Sequence, residues 1–271
     1  MSSEHSGIDR TMRARSDRRR SIVTKAAIVL IAFGVQGSPA GASGRGLSTI
    51  WTIDPAPAPA DAFEAAPGDY IIKQRLLPLG LVELGAVTAE TASATGLSEG
   101  QQLVEVKSDA PVFCDPAIRS KKLIGHAQPC LVDADSDGRF EGLFLTSSVT
   151  KGILTFQGDR PKQARPIPAV PYRRLDPGAF KQNLFLGLQY RGNANVFGNH
   201  IFEIRFGSEE ESGSLTRRLL HKKSEIPGAH DFMGGRFTIL EATPRGIRVR
   251  IDRPMPSQPF AVVQTTTYRI Y

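Results

Sequence analysis

Asp133, Asp135 and Asp137 place three carboxylates within five residues, Gly138 follows at once, and Glu141 stands four places beyond the last Asp. Alternate carboxylates along a short loop can converge on one point, the carbonyl of Arg139 can add an oxygen, and the glycine permits the sharp turn. This is the donor set a hard cation takes. Without a cation the three Asp charges repel one another. The other reading of the same residues is a solvated Asp- and Gly-rich turn, where these residue types are common for backbone reasons. Cys130 stands just before the loop and pairs in expectation with Cys114, enclosing 15 residues. A disulfide closing a loop of that length contributes about 3 kcal/mol by restricting the unfolded chain. The rival, a metal–thiolate site, finds no further cysteine and no close histidine pair to support it.

The runs on either side of the acidic loop, Leu131 with Val132 and residues 140–145, read as strands rather than helices. The loop resembles the first nine positions of an EF-hand loop, and resembles more closely the DxDxDGxxD/E calcium loops set in β-hairpins, as in the FG-GAP repeats of integrin-like propellers. The EF-hand would carry a bidentate Glu at its twelfth position, where this chain has Phe144. The resemblance implies a calcium ion held by the side chains of Asp133, Asp135, Asp137 and Glu141 with the Arg139 carbonyl. It implies a bracing role rather than signalling, since extracellular calcium modules bind weakly and stay loaded. It covers nine residues and says nothing about the fold elsewhere.

Other residues with chemical potential are scattered. Ser148-Val149-Thr150-Lys151 matches SxxK, but the SDN and KTG partners of the serine penicillin-binding enzymes are absent and the local pattern is β. No HExxH or P-loop occurs. The histidines beyond the leader, His126, His200, His221 and His230, stand singly, though His221 and His230 could meet across a loop. Arg217, Arg218, His221, Lys222 and Lys223 form the most basic cluster outside the leader, just after Glu209, Glu210 and Glu211. It reads either as a solvated strand with compensating charges or as a patch for an anionic ligand such as phosphorylated lipid head groups or acidic glycans.

The elements that must position these groups begin after residue 42. Residues 1–42 read as an export signal: Arg13, Arg15, Arg18, Arg19 and Arg20 form a basic leader, residues 26–35 an apolar core, and Ala40-Gly41-Ala42 a small-residue cleavage site. Arg19-Arg20-Ser21-Ile22-Val23 resembles a twin-arginine signal with Ile and Val in place of Phe and Leu. The apolar run is too short for a membrane anchor, which needs about 20 residues. The leader carries seven basic and three acidic residues, so four of the net +7 leave with it and about +3 remain. That balance does not imply nucleic acid as a partner.

Residues 43–67, with Pro55-Ala56-Pro57-Ala58-Pro59-Ala60, read as a flexible linker. From residue 69 short alternating runs are punctuated by turn residues, and no stretch of eleven or more holds a 3.6-residue apolar period. Asp176-Pro177 is the one expected helix start. The four prolines of residues 161–171 are expected to divide an N-terminal β region, 68–160, from a C-terminal one, 172–271, or to cross between sheets of one domain. In the second region residues 184–190 are apolar on both faces, as in a buried central strand; Phe202, Ile204 and Phe206 alternate with Glu203 and Arg205; and Ile247, Val249 and Ile251 alternate with Arg248 and Arg250. The expected fold is all-β and mainly antiparallel, a sandwich or open barrel-like sheets with at most one short helix. A membrane barrel is disfavoured, because Arg269, Thr267 and Thr265 leave no apolar stripe before Tyr271.

Together these residues lead to an exported protein, periplasmic or extracellular, acting as a non-enzymatic binding or structural module. Its expected partners are an anionic envelope polymer or another envelope protein. A hydrolase of a glycan or envelope polymer is the alternative, and an assembly or adhesion factor using free β edges a third. Paired acidic residues converging in a cleft away from the Asp loop would distinguish the hydrolase.

Overall fold

The computed structural model describes residues 26–30, 46–116, 127–147, 157–194, 199–208 and 217–266. Their strands are antiparallel, as short runs of β-branched and aromatic residues between turn signals favour, and they form one closed barrel, a six-stranded and a four-stranded open sheet, and two two-stranded pairs. Around the barrel the order is Arg139–Ser147, Arg165–Leu175, Leu81–Leu84, Gln102–Val106, Val112–Cys114 and Ala127–Val132.

The period of two sorts each barrel strand into an inner and an outer face. Val82, Leu84, Leu103, Phe113, Leu131, Phe140 and Val170 fill the interior, with Phe113, Phe140 and Tyr172 in ring contact. Their neighbours Leu81, Val104, Val112, Cys114, Cys130 and Val132 belong to the second, larger core that joins the barrel to the sheets. A helix, Ala89–Thr95, leads Leu97 into the barrel interior. Thr88 caps its start by accepting the Thr91 amide, and Gly96, at φ 71°, ends it in the left-handed conformation that glycine adopts without steric cost. The expected helix start at Asp176 is a single 3-10 turn, Pro177–Ala179, capped by the Asp176 carboxylate.

The Pro-rich stretch is part of a barrel strand. Arg165–Leu175 pairs with Arg139–Ser147 from Arg165 to Pro171 and with Leu81–Leu84 only from Tyr172 to Leu175. Pro166, Pro168 and Pro171 thus lie where the strand has a ladder on one side, and the missing N–H groups cost no second ladder. The open sheets draw strands from both sides of residues 161–171, whereas the barrel strands all lie within residues 81–175.

The six-stranded sheet runs Arg217–His221, Asn199–Ser208, Leu184–Ala194, Tyr70–Pro78, Trp51–Ile53, Pro259–Phe260; the four-stranded sheet runs Gly228–Phe232, Gly235–Ala242, Ile247–Arg253, Phe63–Ala65. Leu184 to Tyr190 are all buried, as a strand with both faces covered must be, and Phe202, Ile204, Phe206, Ile247, Val249 and Ile251 point into the core. The expected linker, 43–67, departs from this reading: Trp51 and Ile53 are core residues of one sheet and Ala65 of the other. Only residues 54–62, which hold the Pro–Ala alternation, connect strands there. Ala26–Leu30, inside the expected leader, pairs with Val262–Thr266, and the rest of the leader lies outside the described residues. Among the described residues no helix is long and apolar enough to cross a membrane.

Candidate metal centre

The acidic loop closes the hairpin of Ala127–Val132 and Arg139–Ser147, whose register sets Val132 opposite Gly142. Asp133 is the first residue beyond the strand, and its amide donates to the Pro111 carbonyl at 3.1 Å. Its side chain turns inward and is wholly buried. There Oδ1 accepts the Asp137 amide at 3.2 Å, while Oδ2 accepts the Gly138 amide at 3.2 Å and the Tyr172 hydroxyl at 2.7 Å. Asp135 Oδ1 also accepts the Asp137 amide, and Asp137 Oδ1 the Arg139 amide at 2.8 Å. Such local carboxylate-to-amide bonds fold Asp-rich sequences into tight loops. Ser136 at φ 64° and Gly138 at φ 91° make the reversal. Glu141 reaches back from the next strand, where Oε2 accepts the Ala134 amide at 3.3 Å.

One oxygen from each of Asp133, Asp135, Asp137 and Glu141 lies within 4.8 Å of all the others, so the four could hold a metal ion. Asp135 and Asp137 are exposed and Glu141 half-buried. A carboxylate has about four lone-pair sites, and the buried Asp133 uses three on donors, leaving one on Oδ1. The crowding shows in the titration of the neighbours. Burial first, with the charges of Asp135 and Asp133 adding and the Ala134 amide opposing, raises the Glu141 carboxyl above its ordinary value. Burial first, then the bond and charge of Asp133, pushes the Tyr172 phenol up to about 12. The Arg139 amide faces the loop through its bond to the Asp137 carboxylate.

Cys114 and Cys130 form the expected disulfide, directly opposite one another on adjacent barrel strands and both buried. It braces the strand that enters the acidic loop. Tyr172 is the residue that sequence reasoning misses: it lies 39 positions from Asp133 and reaches it because its strand pairs with Arg139–Ser147, the second strand of the hairpin that carries the loop.

Within the basic cluster, Arg218 and His221 lie on opposite faces. On the strand Arg217–His221 alternate residues face opposite ways: Arg218 lies outward on Glu203 at 3.1 Å, while the His221 ring packs edge-on against Phe202. Lys222 and Lys223 are exposed on the following turn. His221 and His230 do meet, with ring centroids 4.3 Å apart. The acidic run at 209–211, the SxxK residues 148–151 and His126 lie outside the described residues. Comparison with known proteins finds no matching family model, no matching curated protein and no matching solved structure.

Proposed function

We propose that the chain is an exported, non-enzymatic binding or structural module whose acidic loop holds calcium as a brace. The observation that carries this reading is the convergence of four carboxylates within 4.8 Å at the end of a barrel hairpin, one of them wholly buried and tied to Tyr172 on the neighbouring strand. An all-oxygen, carboxylate-rich set of this kind suits calcium, which accepts flexible coordination by 6–8 oxygens at most, some of them water. A cation there would neutralise the loop and fix the hairpin against the Arg165–Leu175 strand.

The rest of the acidic residues support binding over hydrolysis. Outside the loop Glu83, Glu105, Asp109, Glu203, Asp231, Glu241 and Asp252 pair with arginines rather than with each other. General acid–base hydrolysis of a glycan would need two carboxyl groups facing one cleft. The buried disulfide is consistent with an oxidising compartment, periplasmic or extracellular. An anionic envelope polymer or another envelope protein is the partner this reading names.

Calorimetric titration of calcium and of magnesium into chelator-treated protein tests the reading. Saturable calcium binding at one site, abolished by Asp137→Ala and weaker for magnesium, is the expected result. Absence of calcium binding overturns it.

A further inference from the structure

Three of the histidines that stand apart in sequence come together where the edge strands of the two sheets meet. His200 lies opposite His221 in the ladder of Asn199–Ser208 with Arg217–His221. His221 in turn touches His230, on the strand Gly228–Phe232. His200 is 3 % exposed, and its Nδ1 lies 3.1 Å from the Tyr190 hydroxyl. His230 is half-buried and its Nε2 has no hydrogen-bond partner. The rings also cover the core, since His221 packs on Phe202 and His230 on Phe237. Both strands are sheet edges with a ladder on one side only, joined through the turn Lys223–Glu225. A segment held this way opens at lower cost than the central strands.

We propose that His200, His221 and His230 form an acid-operated release, which on acidification parts the edge strand Arg217–His221 from Asn199–Ser208 and the edge strand Gly228–Phe232 from Gly235–Ala242, and uncovers Phe202 and Phe237. Three neighbouring imidazoles cannot all gain a proton in place without repulsion, and burial denies His200 the water that would solvate the charge. The charged groups facing the cluster are few. Glu225 lies 3.4 Å from His221 Nδ1, Lys223 stands on the same turn, and Asp231 beside His230 is already held by Arg236. One carboxylate therefore faces three imidazoles and a lysine.

The titration supports this geometry. Burial first, then the charges of His221 and Lys223, holds His200 below its ordinary value of 6.5. Burial first, then His221, lowers His230 against the pull of Glu225 and Asp231. With the closed-state values depressed, opening takes up protons below pH 6.5, becomes easier as pH falls towards the lowered values, and is insensitive to pH above that window.

Hydrogen exchange of the full chain between pH 7.5 and 5.5, corrected for the intrinsic rate, measures the release. Amides of 217–232 are expected to lose protection relative to those of 184–190, by about tenfold per pH unit for each proton taken up. In the double variant His200→Gln with His230→Gln, protection should be independent of pH. If circular dichroism at pH 8 shows that this variant does not fold, His230→Gln alone is used, and its slope should fall by one proton. A ratio of protection that stays constant with pH in the wild type, or a slope unchanged in the variant that folds, overturns the proposal.

Discussion

The acidic loop at the end of the barrel and the two open sheets treat the same chemical group in opposite ways. On the sheets a carboxylate has an arginine beside it: Asp231 with Arg236, Glu241 with Arg248, Asp252 with Arg250, and the buried Glu203 with both Arg191 and Arg218. At the end of the barrel four carboxylates face one another, and among the described residues no ion pair reaches them. The sheets balance charge with their own side chains, whereas the loop gathers four carboxylates that could hold a metal ion. The loop stands on a closed wall with no free edge, a filled interior and a buried cross-link.

Four variants sharpen or break that contrast. Phe113→Ala empties the barrel centre and is expected to cost about 3–5 kcal/mol in denaturant unfolding; a cost below about 1 kcal/mol would mean the barrel is not the firm half. Replacing both Cys114 and Cys130 by Ser removes the wall's cross-link across a separation of 16 residues and is expected to cost about 3 kcal/mol. Tyr172→Phe takes the hydroxyl from the buried Asp133 and should cost about 2 kcal/mol, in the range for hydrogen bonds to charged groups. It also has a signature in pH. The Tyr172 phenol is raised from 10.0 to about 12, so its contribution is intact below pH 10 and is lost as pH climbs towards 12; alkaline destabilisation over that window should be weaker in the variant. The smallest effect is expected on the sheet face. Arg250→Ala breaks an exposed pair with Asp252, and about 0.5 kcal/mol or less should be lost. A loss as large as that for Tyr172→Phe would erase the distinction between locally balanced and unbalanced carboxylates.

What the sequence discloses follows from how local each signal is. The alternation of Ile247, Val249 and Ile251 with Arg248 and Arg250 is visible at once, because one face is core and the other water, and the structure buries the first set and exposes the second. The unbroken apolar run 184–190 identifies a central strand for the same reason. The acidic loop is legible because all four carboxylates lie within nine residues. Four features resist such a reading. Trp51 to Ile53 is too short a strand to show a period, and the prolines just after it dominate the composition. The Pro-rich stretch 161–171 reads as a breaker because the sequence does not reveal that its strand changes neighbours at Tyr172. The helix Ala89–Thr95 spans under two turns, and only Thr88 and Gly96 mark its ends. Tyr172, the partner of Asp133, comes from the long-range pairing of its strand with the acidic hairpin and belongs to no local pattern.

Thermal unfolding of the oxidised protein, first with excess chelator and then with millimolar calcium, beside Asp135→Ala, tests most directly whether the loop's unbalanced charge is a cation site. A ligand at a hundredfold its Kd stabilises by about 2.7 kcal/mol, and for a chain of this size that is roughly 5–10 °C in Tm. The account predicts a rise of that order in the wild type and none in Asp135→Ala. No rise in the wild type, or an equal rise in both proteins, would contradict it.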